Sequence, residues 1–119
     1  MTVTPAQYDL TIYQGANFSQ RLTFLQSSDG DPVDLSGFTA RMQLRQSVNS
    51  TTPLIELTTE NGRITLGDAA GTVDLALNAS ETASLTAGTA VYDLEIVQSE
   101  TSADRYAQGS VTIIREVTR

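Results

Sequence analysis

Asp29, Asp31 and Asp34 lie close together at spacings of two and three residues. Hard oxygen ligands spaced in this way are what a calcium loop uses. The stretch lacks the distal glutamate of a complete EF-hand loop, and Asp29-Gly30-Asp31-Pro32 is ordinary turn chemistry. A turn is the stronger reading, and the three aspartates remain weak metal candidates. Asp93 and Glu95 form a second group. Two apart on a strand, they point to one face, and paired carboxylates are the machinery of glycoside hydrolysis. That chemistry needs a cleft and one carboxyl group with a raised pKa. On the polar face of a strand, with Asp74 as the expected neighbour, a solvated face paired with arginines is favoured. Tyr8, Tyr13 and Tyr106 are a third group, a conceivable sugar-stacking platform. Such platforms favour Trp, of which the sequence has none, so core or edge packing is favoured. Gly15, Gly37, Gly62, Gly71 and Gly88 are isolated turn glycines and build no phosphate loop. No residue is assigned as catalytic or cofactor-binding, no cofactor is expected, and the reading is of a protein that is not an enzyme.

Composition points the same way. The 119 residues contain neither Cys nor His. This removes disulfides, thiolate metal sites, the commonest general base and any serine-type triad. The net charge is −7, and the seven basic residues, all Arg, are scattered. Phosphate neutralisation supplies most non-specific nucleic-acid affinity, so nucleic acid is not an expected partner. The first residues, MTVTPAQYDL, carry no basic region and no apolar run, so a signal peptide is not expected. No run approaches the roughly 18 apolar residues of a membrane helix, and no membrane partner is expected. Synthesis in a cytoplasm is the expected origin. Residues 1–119 read as one domain, long enough to hide roughly two-thirds of its unfolded surface, with residues 1–6 as a possible extended arm.

The elements that would position these groups are strands. Residues 71–98 organise the chain. Val73, Leu75 and Leu77 alternate with polar or small neighbours, as do Tyr92, Leu94 and Ile96. Period-two alternation puts one face on a core. The segment between reads as one helical turn capped by Asn78 or Ser80, with Leu85 crossing the end of the core and Gly88 at the exit. Further strands are expected over residues 7–13, 18–26, 38–45, 53–59, 63–66 and 105–117, with Gly109 as a bulge. Residues 53–77 read as a three-stranded meander with a tight hairpin at Asn61-Gly62. About eight strands with turns every ten or so residues predict an all-β fold, an antiparallel sandwich with one short helical turn. Phe38, Met42, Leu75, Leu77, Tyr92, Leu94 and Ile96 are expected in its core. Residues 7–13 and 105–117 are the expected sheet edges, free of Lys and internal Pro. Arg115, Val117, Thr118 and Arg119 are the expected interface, with residues 2–6 as an arm.

Two stretches carry a resemblance. Gly30-Asp31-Pro32-Val33-Asp34-Leu35-Ser36-Gly37 is the first; Gly71-Thr72-Val73 through Leu77 to Gly88, Tyr92, Asp93 and Leu94 is the second. In order and spacing they resemble the N-terminal domain of the baseplate upper protein family of tailed phages. The ending, Gly109 to Arg119, resembles small structural proteins of phage and prophage gene clusters. The resemblance implies an immunoglobulin-like sandwich that serves as a repeated building block of a virion. Its implied partners are other virion proteins and copies of itself. The implied position is a baseplate, neck or tail-fibre adaptor, or the capsid surface. Longer members of that family continue into a helical stalk and a host-binding tip, whereas this sequence stops after the sandwich, so a receptor-binding role is not expected. The alternative expectation is a carbohydrate-binding β-sandwich module.

Overall fold

Alternation of apolar and polar residues dictates strands with one buried face, and the computed structural model pairs them into two sheets packed on a shared core. It describes residues 5–26 and 30–118. The strands are β1 (Ala6–Gln7), β2 (Leu10–Tyr13), β3 (Phe18–Thr23), β4 (Thr39–Arg45), β5 (Ile55–Thr58), β6 (Ile64–Leu66), β7 (Thr72–Leu77), β8 (Gly88–Ser99) and β9 (Ser102–Ile114). One helix, α1 (Ala79–Ala83), and a 3-10 turn at Asp68–Ala70 complete the described elements. The larger sheet runs β1-β9-β8-β4-β5, with β2 also on β9; the smaller runs β3-β7-β6. With β1 and β2 taken as one interrupted first strand, the sheets read A-G-F-C-C′ and B-E-D, the immunoglobulin-like arrangement.

The inward residues of both sheets fill the space between them. Met42, Leu75, Leu77, Tyr92, Leu94 and Ile96 are buried as expected, while Phe38 is only half-buried at the rim. Leu35 is fully buried beside half-buried Val33, so the 33–37 turn plugs one end of the sandwich. Asp34 Oδ1 accepts from the Ser36 N–H at 3.0 Å and fixes that turn. The helical turn forms because Asn78 caps it: its side chain accepts from the Glu81 N–H at 2.9 Å. The Glu81 carboxylate accepts from the Asn78 N–H at 2.8 Å. This reciprocal pair satisfies two of the donors a helix start leaves open. The turn brings Leu85 over the core and buries Thr82, whose hydroxyl donates to the Ala16 carbonyl at 2.9 Å.

Four expectations about the sheets are corrected. Residues 53–77 are not a meander: β5 pairs with β4 in the larger sheet, while β6 and β7 belong to the smaller. Asn61 therefore turns the chain between sheets, its Oδ1 accepting from the Thr58 and Arg63 N–H groups at 3.0 Å each. The pairing is not wholly antiparallel, because β1 and β2 run parallel to β9. For the same reason β9 is not an edge; it is paired on both sides, by β8 and by the first strands. The bulge falls at Tyr106 rather than Gly109. Leu94 pairs with Ala107 and Glu95 with Arg105, leaving Tyr106 as the extra residue. The bulge resets the phase of β9, so that consecutive Tyr106 and Ala107 are both buried.

Gly109 has a different role. A Cβ there would stand 2.3 Å from the Tyr8 carbonyl oxygen. The Tyr8 N–H bonds the Gln108 carbonyl at 2.9 Å, as a parallel ladder requires. Its own carbonyl is turned off the ladder and accepts from the Tyr92 hydroxyl at 2.6 Å. The Ser110 N–H that it abandons is taken by Asp9 Oδ1 at 3.0 Å. This substitution is why the first strand is interrupted at Tyr8-Asp9, and it ties that strand across β9 to β8.

Candidate functional site

The outer face of the larger sheet carries the paired carboxylates Asp93 and Glu95 among a set of charged and polar side chains. β4 presents Arg41, Gln43 and Arg45; β8 presents Val91, Asp93 and Glu95; β9 presents Arg105 and Gln108; β5 adds Glu56. The register sets them in rows across the strands. Glu56, Gln43, Asp93 and Gln108 form one row, and Thr58, Arg41, Glu95 and Arg105 form the next. All of them except Thr58 line a shallow open depression of about 760 Å³. Arg41 Nε donates to Glu95 at 2.6 Å, and Arg105 Nη2 stands 3.2 Å from Asp93. Gln43 Nε2 donates to Glu56 at 2.8 Å while its Oε1 accepts from Arg45 Nη2 at 2.6 Å. Toward the C-terminal end of β9 the outward residues lose their charge. Thr11, Thr112 and Thr89 make a row across three strands, and Tyr13 lies beside Ile114.

Asp93 and Glu95 thus share a face, as their spacing predicts, and each carboxylate is held by an arginine. Asp74, the expected neighbour, lies on the smaller sheet. There Arg21 binds it in a fork, Nε to Oδ1 at 2.7 Å and Nη2 to Oδ2 at 3.0 Å. Those hydrogen bonds hold the Asp74 carboxyl below the usual carboxylate range. Glu81 is also held low, chiefly by the Asn78 N–H and further by Arg63, whose Nε donates to it at 2.6 Å.

The three tyrosines do not make a platform. Tyr106 is buried edge-on against Phe24, ring centroids 5.1 Å apart, while Tyr8 and Tyr13 are exposed. The Tyr8 hydroxyl accepts from Gln20 Nε2 at 3.1 Å. Burial pushes the Tyr106 hydroxyl pKa up, and burial with the nearby Asp9 pushes Tyr92 up to about 12. Of the metal candidates, Asp29 lies outside the described residues. Asp34 is committed to the Ser36 N–H, which lowers its pKa. No group of three metal-ligating side chains occurs among the described residues.

Of the interface candidates, Arg115, Val117 and Thr118 are exposed at the end that follows β9, Val117 at 90 %. Arg119 and residues 2–4 of the arm lie outside the described residues. Ile114 is exposed beside Tyr13 on the outer face of the larger sheet. Sequence reasoning passed over the arginines of β4 and β9 as a functional set. The outward alternation of Arg41 and Arg45 is visible in the sequence, but neither the bulge that turns Arg105 to the same face nor the strand order that gathers them is. No known family model matches the chain, and no curated protein matches its sequence.

Proposed function

We propose that this protein is a non-enzymatic structural component of a tailed-bacteriophage virion, an assembly module of the baseplate, neck or tail-fibre adaptor or of the capsid surface. Its partners are other virion proteins and further copies of itself. The observation that carries this reading is topological. The sandwich has the immunoglobulin-like strand order that the resemblance to baseplate upper proteins implies, and its first strand runs parallel to its last. Parallel pairing separates the two chain ends. Ala6 sits opposite Ala107 and Tyr13 opposite Ile114, so the described chain enters and leaves about 23 Å apart along the strands, at roughly 3.3 Å per residue. A module with ends set apart in this way suits stacking into a larger body.

Two further observations support the reading. The carboxylates best placed for glycoside chemistry are neutralised by arginines. Each sheet also ends in strands with open backbone groups: β5 and the first strands on the larger, β3 and β6 on the smaller. The carbohydrate-binding alternative is disfavoured by the separation of the three tyrosines.

The test is mass spectrometry of purified particles from the phage or prophage that encodes the chain. The protein is expected at a fixed ratio to the major structural proteins. Its absence from particles that infect normally refutes the proposal.

A further inference from the structure

β5 is the outer strand of the larger sheet, and its pairing with β4 leaves alternate residues facing away. The Thr59 N–H bonds the Ala40 carbonyl at 3.1 Å. By alternation Leu57 and Ile55 also bond β4, while Glu56 and Thr58 turn their backbone groups outward. The Asn61 carboxamide occupies part of that outward edge. Its Nδ2 donates to the Glu56 carbonyl at 3.0 Å, and its Oδ1 accepts from the Thr58 N–H at 3.0 Å. A residue on a parallel neighbouring strand, opposite Leu57, would do the same: donate to the carbonyl before it and accept from the N–H after it. One side chain thus stands where a further strand would pair. Arg63 supports it. Its N–H donates to the same Oδ1 at 3.0 Å, and its Nη1 donates to the Glu56 carbonyl at 2.8 Å. The Asn61 N–H in turn donates to Thr58 Oγ1 at 2.9 Å.

The residue that guards this edge is also the one whose neighbour can attack it. Of the four asparagines, Asn61 alone precedes a glycine. Both residues are exposed, and a Cβ at Gly62 would meet nothing within 4 Å, so water reaches them. We propose that Asn61 is a modification site, where deamidation with water as co-reactant removes the guard from β5. The Gly62 nitrogen bonds to Asn61 Cγ, and the side-chain nitrogen leaves as ammonia, taking the proton from the Gly62 nitrogen. Water then opens the cyclic imide. Attack at Cγ breaks its bond to the Gly62 nitrogen and gives aspartate. Attack at the backbone carbonyl carbon breaks that carbon's bond to the same nitrogen and gives isoaspartate. Either way the nitrogen regains a proton and a carboxylate forms. Aspartate has no donor for the Glu56 carbonyl and sets a negative oxygen against it. Isoaspartate also adds a methylene to the main chain where it crosses between the sheets. Ring closure withdraws Nδ2 from Glu56 and turns Oδ1 away from the Thr58 and Arg63 N–H groups, so three hydrogen bonds must break first. Three bonds of ordinary net strength slow the folded reaction by about tenfold or more. The fold therefore sets the rate, and the modification opens the edge. This chemistry goes beyond the virion reading above and does not depend on it.

The test follows the intact protein by peptide mass spectrometry during incubation at neutral pH, folded and in urea, with fragmentation that tells aspartate from isoaspartate. Asn61 is expected to convert first among the asparagines in urea, and about tenfold or more slowly when the chain is folded. Thr58→Val removes the acceptor of the Asn61 N–H; it is expected to speed the folded reaction and leave the rate in urea unchanged. Asn61→Asp reproduces one product and is expected to unfold at a lower urea concentration than the wild type. Equal rates in the folded and unfolded chain, no conversion of Asn61 in urea, or an Asn61→Asp protein as stable as the wild type overturns the inference. If Asn61→Asp does not fold, the two rates measured on the wild type decide alone.

Discussion

Replacing Tyr92 with Phe removes a single oxygen from the centre of the larger sheet, and its effect follows from the local geometry. The Tyr92 hydroxyl passes over Gly109 and donates to the Tyr8 carbonyl at 2.6 Å. That carbonyl has left the strand ladder, since Asp9 has taken the Ser110 N–H in its place. Loss of the donor removes the hydrogen bond that this part-buried acceptor receives. A net hydrogen bond is worth about 1 kcal/mol and an unsatisfied buried partner about 1–3, so Tyr92→Phe is expected to cost about 1–3 kcal/mol.

The pH dependence has a definite sign. The folded pKa of Tyr92 lies above its ordinary 10, at about 12. Its contribution is therefore complete below pH 10 and is lost as pH rises through about 12. Two units correspond to about 2–3 kcal/mol, so the gap between wild type and Tyr92→Phe narrows across that window. Urea unfolding of both proteins from neutral to strongly alkaline pH measures this directly. Amide exchange adds a local readout: the Tyr8 and Ser110 N–H groups lose protection in the variant before the centre of β8 does. A cost below about 0.5 kcal/mol with no narrowing above pH 10 would refute the proposed tie between the first strand and β8.

Three further outcomes are expected. Leu94→Ala, at a fully buried position, costs about 2–5 kcal/mol in equilibrium unfolding, and a loss under about 1 would mean the register of β8 is wrong. Asp74 and Glu81 have folded pKa values below the usual carboxylate range, so their stabilisation is present above that range and disappears as pH falls through the folded values. Acid titration of stability should show this loss, shallower in Asp74→Asn; identical profiles would contradict the Arg21 pairing. Asp93→Asn with Glu95→Gln leaves any enzymatic activity of the particle unchanged. Polysaccharide cleavage by the isolated protein that this double variant abolishes would replace the structural reading with a glycosidase.

Much of this architecture is written locally. The alternation of Val73, Leu75 and Leu77 and of Tyr92, Leu94 and Ile96 fixes which side chains go inward, because a strand has period two. Asn78 with Glu81 three residues on marks the helical turn by a purely local mechanism. Alternation says nothing about which strand lies alongside, and the misread features all turn on that. Asn61-Gly62 reads as a hairpin signal, yet the Asn61 side chain stands in for a carbonyl and lets the chain change sheets. Asp74 lies on a polar outer face as its alternation predicts, but on the smaller sheet. The parallel pairing of β2 with β9 joins residues about a hundred positions apart and leaves no short-range mark. The bulge at Tyr106 leaves only a pair of adjacent buried residues, which look like a break in the pattern. The charged face was half legible. With Phe38 and Met42 inward, period two turns Arg41, Gln43 and Arg45 outward, but their meeting with Asp93, Glu95 and Arg105 depends on β4, β8 and β9 being neighbours.

The most direct test of the structural role is a cryo-electron map of the intact particle, with the sandwich fitted into symmetry-averaged density. Repeated copies are expected in the tail, neck or capsid shell, each with its two-layer outline resolved and its chain ends set apart along the strands. Density fully explained by other proteins, with no copy of this sandwich at any position, would contradict it.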